Sequence, residues 1–210
     1  MALEFLGTDY GGWLVDLDLI PENSIVISAG VGEDISFDLE LIKRKSCHII
    51  GIDPTPKSHR FIENQPQLGN FELIKKALDD SNNNIIEIYK NKNLDHVSES
   101  ILPHHASVKN FDYYLTETVS LPILFEKYDN VSLVKMDIEG SEYKVLNSLK
   151  VVPPSVRQIC VEFHHFCSNY SLDDTKRLIE HLKKLGFSKC VQNKKDSWAE
   201  LTFIRKGQGG

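Results

Sequence analysis

The sequence predicts an α/β fold in which a mostly parallel sheet carries helices on both faces, and three observations point to it. Short β-branched or apolar runs alternate with helix-like segments along nearly the whole chain, the pattern of strands joined by crossover helices. The first clear run, 24–29 (SIVISA), leads into Gly30-Val31-Gly32 and then a helix. The last two runs, 187–191 and 199–204, are separated by the polar turn 193–197, too short for a crossover, so they are antiparallel neighbours.

The elements follow in order. Residues 24–29 read as a strand buried on both faces. A helix starts near Asp34, with Ile35, Leu39 and Ile42 at helical spacing and Lys43, Arg44 and Lys45 at its C-terminal end, where cations suit the helix dipole. The strand 47–52 stops at Asp53, and Thr55 as N-cap with Pro56 in the first turn opens the next helix. Residues 71–77 form a third strand and 85–89 a further short one. Residues 91–112, polar and containing His96, His104 and His105, read as a long loop over the sheet. A short helix from Ser120 and Pro122 to about Tyr128 precedes the strand 131–136, and a helix near 141–149 follows it. After the Pro153-Pro154 break come the strand 156–163 and a helix near 172–185, with Ser171 as N-cap, Leu178, Leu182 and Leu185 on one face, and Gly186 as the stop.

Bulk properties fit a single globular domain. The chain has 210 residues, 41% hydrophobic and 26% charged, near globular averages and long enough to bury a core without disulfides. Acidic Glu4 and Asp9 stand where a signal peptide needs basic residues, and no apolar run could span a bilayer. The expectation is a soluble cytoplasmic protein with no membrane partner. A net charge of −6 argues against nucleic acid as a partner. Cys47, Cys160, Cys167 and Cys190 show no CxxC spacing and read as buried free thiols.

The chemistry is expected at the carboxyl ends of the strands, where ligands of open α/β sheets bind. Gly30 and Gly32 let a ligand approach the backbone at a helix start. Asp53, 21 residues beyond Gly32 and at the end of the second strand, can accept hydrogen bonds from a ribose. Ile35 replaces the third glycine of a dinucleotide turn, and Glu33 and Asp34 would repel a pyrophosphate. These residues favour a nucleoside cofactor without phosphate, S-adenosylmethionine, over NAD, FAD or ATP.

The segments SAGVGEDISFD, IIGIDPTP and LVKMDIEGSEYKVL, in that order, resemble the FkbM-type family of S-adenosylmethionine-dependent methyltransferases over about residues 24–205. The stretch Lys135-Met136-Asp137-Ile138-Glu139-Gly140-Ser141-Glu142 is similar to that family's most characteristic motif. The resemblance implies a Rossmann-like class I methyltransferase fold: a seven-stranded sheet with the last strand antiparallel between the fifth and sixth. It implies that Ser28, Gly30 and Gly32 line the methionine side of the cofactor, that Asp53 holds the ribose, that Ala77 and Leu78 lie near the adenine, and that Asp137 faces the reacting end. It also implies O-methylation of a hydroxyl on a small molecule, sugar or glycan. The single domain then spans 1–210, with 1–23 as lead-in and 207–210 as a frayed tail.

A hydroxyl acceptor needs a base within hydrogen-bond reach or a metal ion to acidify it. Asp137 and His164 end the fourth and fifth strands and are the catalytic candidates, whereas His165 points away by period-two alternation. Glu139 and Glu142 belong first to the turn and helix start, with Glu139 able to reach a polar substrate. Asp137 and its neighbours could hold Mg²⁺, but the sequence has no diagnostic metal spacing and no metal ligands are predicted. Tyr10-Gly11-Gly12-Trp13 reads as a turn before a leading strand, with closure over the cofactor as the alternative. Two other functions remain open on sequence grounds: a methyltransferase-fold protein that binds cofactor or a partner without turnover, and, disfavoured by Ile35 and the acidic turn, an NAD-type oxidoreductase.

Overall fold

Ile25–Ala29, His48–Ile52 and Val131–Met136 are short, apolar and β-branched, and they lie side by side as parallel central strands of the sheet. The structure is a computed structural model, and it describes residues 2–66, 68–92, 99–103, 108–166, 169–193 and 199–205. In chain order the elements are β1 (Leu3–Leu6), β2 (Trp13–Asp16), a 3-10 turn (Leu17–Leu19), β3 (Ile25–Ala29), α1 (Ser36–Lys45), β4 (His48–Ile52), α2 (Pro56–Glu63), β5 (Phe71–Ile74), β6 (Ala77–Asp79), β7 (Ile85–Asn91), β8 (Val108–Ser120), α3 (Leu121–Lys127), β9 (Val131–Met136), α4 (Glu142–Ser148), β10 (Gln158–Glu162), α5 (Leu172–Lys184), β11 (Lys189–Gln192) and β12 (Glu200–Ile204). His96, His104, His105, Cys167, most of the turn at 193–197 and the tail at 207–210 lie outside the described residues.

The main sheet has seven strands in the order β11-β12-β10-β9-β3-β4-β5. The final strand, β12, is inserted between β10 and β11 and runs antiparallel to both, as the family resemblance implies. Period-two alternation sorts the strand residues onto two faces. Ile27, Val134, Ile159 and Val161 pack in one apolar cluster with α3, α4 and α5, which supply Leu124, Leu146 and Leu182. Val26, Leu133 and Cys160 pack in the other with Phe37 and Leu41 of α1 and with Leu6, Trp13 and Val15 of the N-terminal hairpin. None of the described helices is long and apolar enough to cross a membrane.

Four expectations need correction. The run 71–77 is not one strand, because a tight turn in which Lys76 N donates to Ile74 O (2.9 Å) ends β5 and sends Ala77–Asp79 into a second sheet. That three-stranded sheet, ordered β6-β8-β7, contains the 13-residue β8, so 108–112 are strand rather than loop. Helix α1 starts at Ser36 and buries Phe37, Asp38 and Leu41, leaving Leu39 40% exposed; its inner face is turned from the expected one and carries an acid. The lead-in is a packed hairpin, β1–β2. The other helix signals match: Thr55 Oγ1 caps α2, and Ser171 and Asp174 form a capping box on α5. Cys47 and Cys160 are buried free thiols, and Cys190 is a half-buried one.

The hairpin is fastened by side chains that stand in for a missing backbone ladder. Gln158 of β10, fully buried, accepts from Asp16 N through Oε1 (2.8 Å) and donates to Asp16 O through Nε2 (3.0 Å). Thr202 of β12 donates to Leu14 O (2.8 Å), and Asn193 accepts from Leu14 N (2.6 Å) while donating to Gly12 O (2.9 Å) and Glu200 Oε2 (2.7 Å). Gln158→Leu keeps the volume but leaves a buried N–H and C=O unpaired, at about 1–3 kcal/mol each. Urea unfolding of this variant should show a loss of roughly 2–4 kcal/mol; a loss within about 0.5 kcal/mol, the scale of an ordinary surface substitution, would mean that the clamp is not what holds the hairpin.

Candidate active site

The carboxyl ends of β3, β4, β9 and β10 meet at a cleft with about 1060 Å³ of empty space, part of it open to solvent. Its floor is the turn after β3. Gly30 (φ +76°) lies so close to β9 that a Cβ on it would stand 1.7 Å from Asp137 O. Gly30 N donates to Ile52 O (2.9 Å) and Asp137 N donates to Ala29 O (3.1 Å), so the turn is tied to the strand on either side. Glycine is required here first by the neighbouring backbone.

Asp53 is 3% exposed and joins the next two turns. Its Oδ2 accepts from Gly32 N (3.0 Å), and its Oδ1 accepts from Thr55 N (2.8 Å) and Thr55 Oγ1 (2.6 Å). A carboxylate has about four acceptor sites, so capacity remains on the cleft side. Ile52, Ala77, Leu78 and Ile88 supply an apolar wall. Opposite stands Glu99, which accepts from the Tyr114 hydroxyl (2.8 Å) and whose carboxyl is pushed up by burial. The described part of the expected loop therefore does reach the cleft, through Glu99 and Ile101.

Beneath the glycine turn lies a buried polar group of residues. Lys135, in the middle of an otherwise apolar strand, is 8% exposed and donates to Gly30 O (2.5 Å) and Ala29 O (3.3 Å). Asp38, on the inner face of α1, has its carboxyl raised to about 6 by burial, offset only in part by the Lys135 ammonium. The Ser28 hydroxyl beside it also favours the ionised form. Asp34 accepts from Ser36 N (2.8 Å) and Thr8 Oγ1 (2.5 Å); burial acts against ionisation there, but these hydrogen bonds prevail and hold the carboxyl below its usual range. Ser28 does not reach the cleft wall. It is fully buried on β3, with its hydroxyl beside the Asp38 carboxyl.

The third feature is a cluster of acids around one imidazole. Glu142, fully buried, accepts from His164 N (2.8 Å) and pairs with His164 Nδ1 (2.9 Å) through Oε1, and accepts from Gly140 N (2.9 Å) through Oε2. This turns His164 Nε2 towards Glu139 Oε2 (3.4 Å), Asp137 Oδ1 (3.7 Å) and Glu162 Oε1 (4.0 Å). Burial lowers the basicity of His164, yet Glu142, Asp137 and Glu139 outweigh it and raise the pKa to about 10. The acids around the ring thus favour its protonated form. Burial, then Asp137, raises Glu162 to about 8. His165 turns to α5, its Nδ1 3.1 Å from Thr175 Oγ1, as alternation predicts.

Asp137, Glu139 and Glu162 all line the cleft, as do Gly30, Gly32, Asp53, Ala77 and Leu78. Tyr10, Gly11, Gly12 and Trp13 line it too; they are at once a turn before β2 and part of the cleft wall. The sequence does not single out Lys135 or Asp38, although each carries a signal, a charge inside an apolar strand and an acid on a helix's core face. Glu142 reads as a helix-start acid, and only its burial reveals that it sets the orientation of His164.

A doubly wound sheet with an antiparallel strand inserted before its edge, and a cleft at the carboxyl ends, is the class I methyltransferase architecture. The chain belongs to the methyltransferase FkbM domain family, whose model matches residues 25–189. Among solved structures, it is similar to precorrin-6y C5,15-methyltransferase from Geobacter metallireducens GS-15, with 11% identity over 90% of this chain and 85% of that one at a TM-score of 0.47. It is also similar to the Methanococcus jannaschii fibrillarin pre-rRNA processing protein, with 13% identity over 90% and 69% of the two chains at a TM-score of 0.49. No curated protein matches the chain.

Asp38 gives a pH test of the buried floor. Folding raises its carboxyl from 3.8 to about 6, so the folded state binds the proton more tightly than the unfolded chain. Its contribution is most favourable below about pH 4, declines as the pH rises towards 6, and stays lower above that. Two pKa units correspond to about 3 kcal/mol. In urea titrations, Asp38→Asn should gain stability relative to the unmodified protein as the pH rises from 4.5 to 7.5, by about 2 kcal/mol; a constant difference across that range would show that Asp38 does not titrate abnormally.

Proposed function

We propose that this protein is an S-adenosylmethionine-dependent methyltransferase that methylates a hydroxyl group of a small molecule or glycan. The observation that carries the reading is the division of the cleft. A nucleoside-shaped half, with Asp53 beside an apolar wall, adjoins a half lined by the carboxylates Asp137, Glu139 and Glu162.

The residues fit this cofactor on three counts. Asp53 can accept from ribose hydroxyls, with Ala77, Leu78 and Ile52 beside the adenine. Lys135 and Asp38, both lining the cleft, offer opposite charges to an amino-acid end, which bears both a carboxylate and an ammonium. Glu33 and Asp34 suit a ligand without phosphate. Gly30 and Gly32 keep this floor clear of side chains, whereas Ser28 supports it from inside the strand.

When bound, S-adenosylmethionine supplies an electrophilic methyl group on a sulfonium. The chain's own task is to align the acceptor oxygen and exclude water. Asp137, with its side chain 36% exposed, is the most open of the three carboxylates for which exposure is known at this wall, and accepts the hydrogen bond and then the proton of the acceptor hydroxyl. Glu139 binds a neighbouring hydroxyl. The same acidic wall repels phosphate, which supports a polyhydroxylated small molecule over nucleic acid as the acceptor. The absence of a membrane-spanning helix among the described ones and the apolar setting of the free thiols support a cytoplasmic location, with residues 1–210 acting as one domain.

Calorimetry with S-adenosylhomocysteine tests the cofactor. Asp53→Asn should weaken binding by roughly 1.5–3 kcal/mol, the worth of hydrogen bonds to a charged group. Binding of NADH in place of S-adenosylhomocysteine would refute the reading. Transfer of a labelled methyl group to a panel of sugars and hydroxylated metabolites then tests the acceptor class. Asp137→Asn should reduce turnover at least about a hundredfold, the contribution of a positioned proton acceptor, with little change in melting temperature; the reverse pattern would make Asp137 a purely structural residue.

A further inference from the structure

His164 and the acids around it form an arrangement that proton transfer does not use. Asp137, Glu162 and His164 each present one donor atom, all within 4.8 Å of one another. His164 Nε2 stands 3.7 Å from Asp137 Oδ1, 4.0 Å from Glu162 Oε1 and 3.4 Å from Glu139 Oε2. Two donor atoms each about 2.1 Å from a common ion lie roughly 3.0 Å apart at a right angle and roughly 4.2 Å apart when opposed. All three distances fall inside that interval.

The histidine separates this group from an ordinary acidic patch. Its side chain is 4% exposed, and its aim is imposed from outside the cluster by Glu142, which holds Nδ1 at 2.9 Å and is itself fully buried. A metal-binding histidine commonly gives its second ring N–H to a carboxylate in this way, which fixes the ring and strengthens the ligand. Access comes through the partly open Asp137, on the cleft side.

We propose that Asp137 Oδ1, Glu162 and His164 Nε2 form a divalent-cation site, oriented by Glu142 and with Glu139 beside it, that prefers Mn²⁺ to Mg²⁺. One imidazole among carboxylates suits a borderline ion better than the all-oxygen set that Mg²⁺ favours. The ion takes the place of the proton on Nε2, which passes to solvent. Its remaining positions face the cleft and coordinate the acceptor oxygen, lowering that hydroxyl's pKa, while Asp137 Oδ2 still receives the proton. This last role rests on the proposed methyl transfer; the site itself does not. The sequence hides the set because its ligands lie at the end of β10 and in the turns after β9 and β10, adjacent only in space.

Mn²⁺ titration of the metal-free protein at pH 7.5, followed by calorimetry and by loss of the free-ion electron paramagnetic resonance signal, should show one saturable site per chain. Asp137→Asn and Glu162→Gln should each weaken it at least about tenfold, and Glu142→Gln by about 10–100-fold, the usual range for a residue that orients a ligand. Asp173→Asn, at an exposed position on α5, should bind as the unmodified protein does. S-adenosylhomocysteine binding and thermal unfolding of each variant establish that it is folded. No saturable Mn²⁺ binding, or binding that the three cluster variants leave unchanged, overturns the site. S-adenosylhomocysteine binding without Mn²⁺ binding refutes the ion and leaves the methyl-transfer reading; Mn²⁺ binding without S-adenosylhomocysteine binding does the opposite.

Discussion

The close approach of Gly30 to the Asp137 carbonyl governs the geometry of the cleft. Three strand ends meet there: Gly30 N bonds to β4 at Ile52 O, Asp137 N bonds to β3 at Ala29 O, and Lys135 of β9 caps the carbonyls of Ala29 and Gly30. A Cβ at Gly30 would stand 1.7 Å from Asp137 O, a separation that would force β3 and β9 apart. The half of the cleft around Asp53 and the acidic half around Asp137 are thus set at a fixed spacing by backbone contact. A displacement of about 1 Å between reacting groups can cost a factor near a hundred in rate, so fixing this spacing in the core has direct chemical value.

Charge within the cleft is balanced over short distances. On the floor, Lys135 faces Asp38 and Asp34; at the far wall, His164 faces Glu142, Glu139, Asp137 and Glu162. A lone buried carboxylate in either place would take up a proton rather than stay charged, as Asp38 and Glu162 partly do. Each cation therefore offsets part of the cost of burying the acids beside it. The two cations come from β9 and the segment just after β10, neighbouring strands of the sheet, so both halves of this balance depend on the same strand pairing.

Much of the fold was legible because its signals are local. The β-branched run at β3, Thr55 before Pro56, Ser171 three residues before Asp174, and Gly186 after α5 each dictate a structure within a turn of themselves. Asp53 and Asp137 were legible for the same reason, as acids at the ends of apolar strands. What escaped is set by distant packing. The break at Lys75–Lys76 follows from β6 pairing with β8 some 40 residues later, and no local pattern announces it. The pairing of His164 with Glu142, 22 residues away, likewise has no local signal. The inner face of α1 was misplaced because Asp38 is polar, and its burial is intelligible only once Lys135 lies nearby.

The N-terminal hairpin shows how the mouth of the cleft acquires its shape. Helix α1 covers one face of the sheet over β3 and β4, and the β1–β2 hairpin extends that cover towards β10 and β12, through Trp13, Val15 and the clamps from Gln158 and Thr202. A helix would carry its own hydrogen bonds and need no such partners, whereas an edge strand offers a row of open donors and acceptors. The amides of Gln158 and Asn193 satisfy that row, and in doing so fix where the preceding turn stands. That turn is Tyr10-Gly11-Gly12, on the cleft wall, and Asn193 Nδ2 holds the carbonyl of Gly12. A Cβ at Gly12 would come within 2.6 Å of the carbonyl of Leu6, so the turn closes against the hairpin itself. The wall of the cleft at its mouth is thus set by residues near the start of the chain and by an asparagine near its end, with the acidic cluster between them.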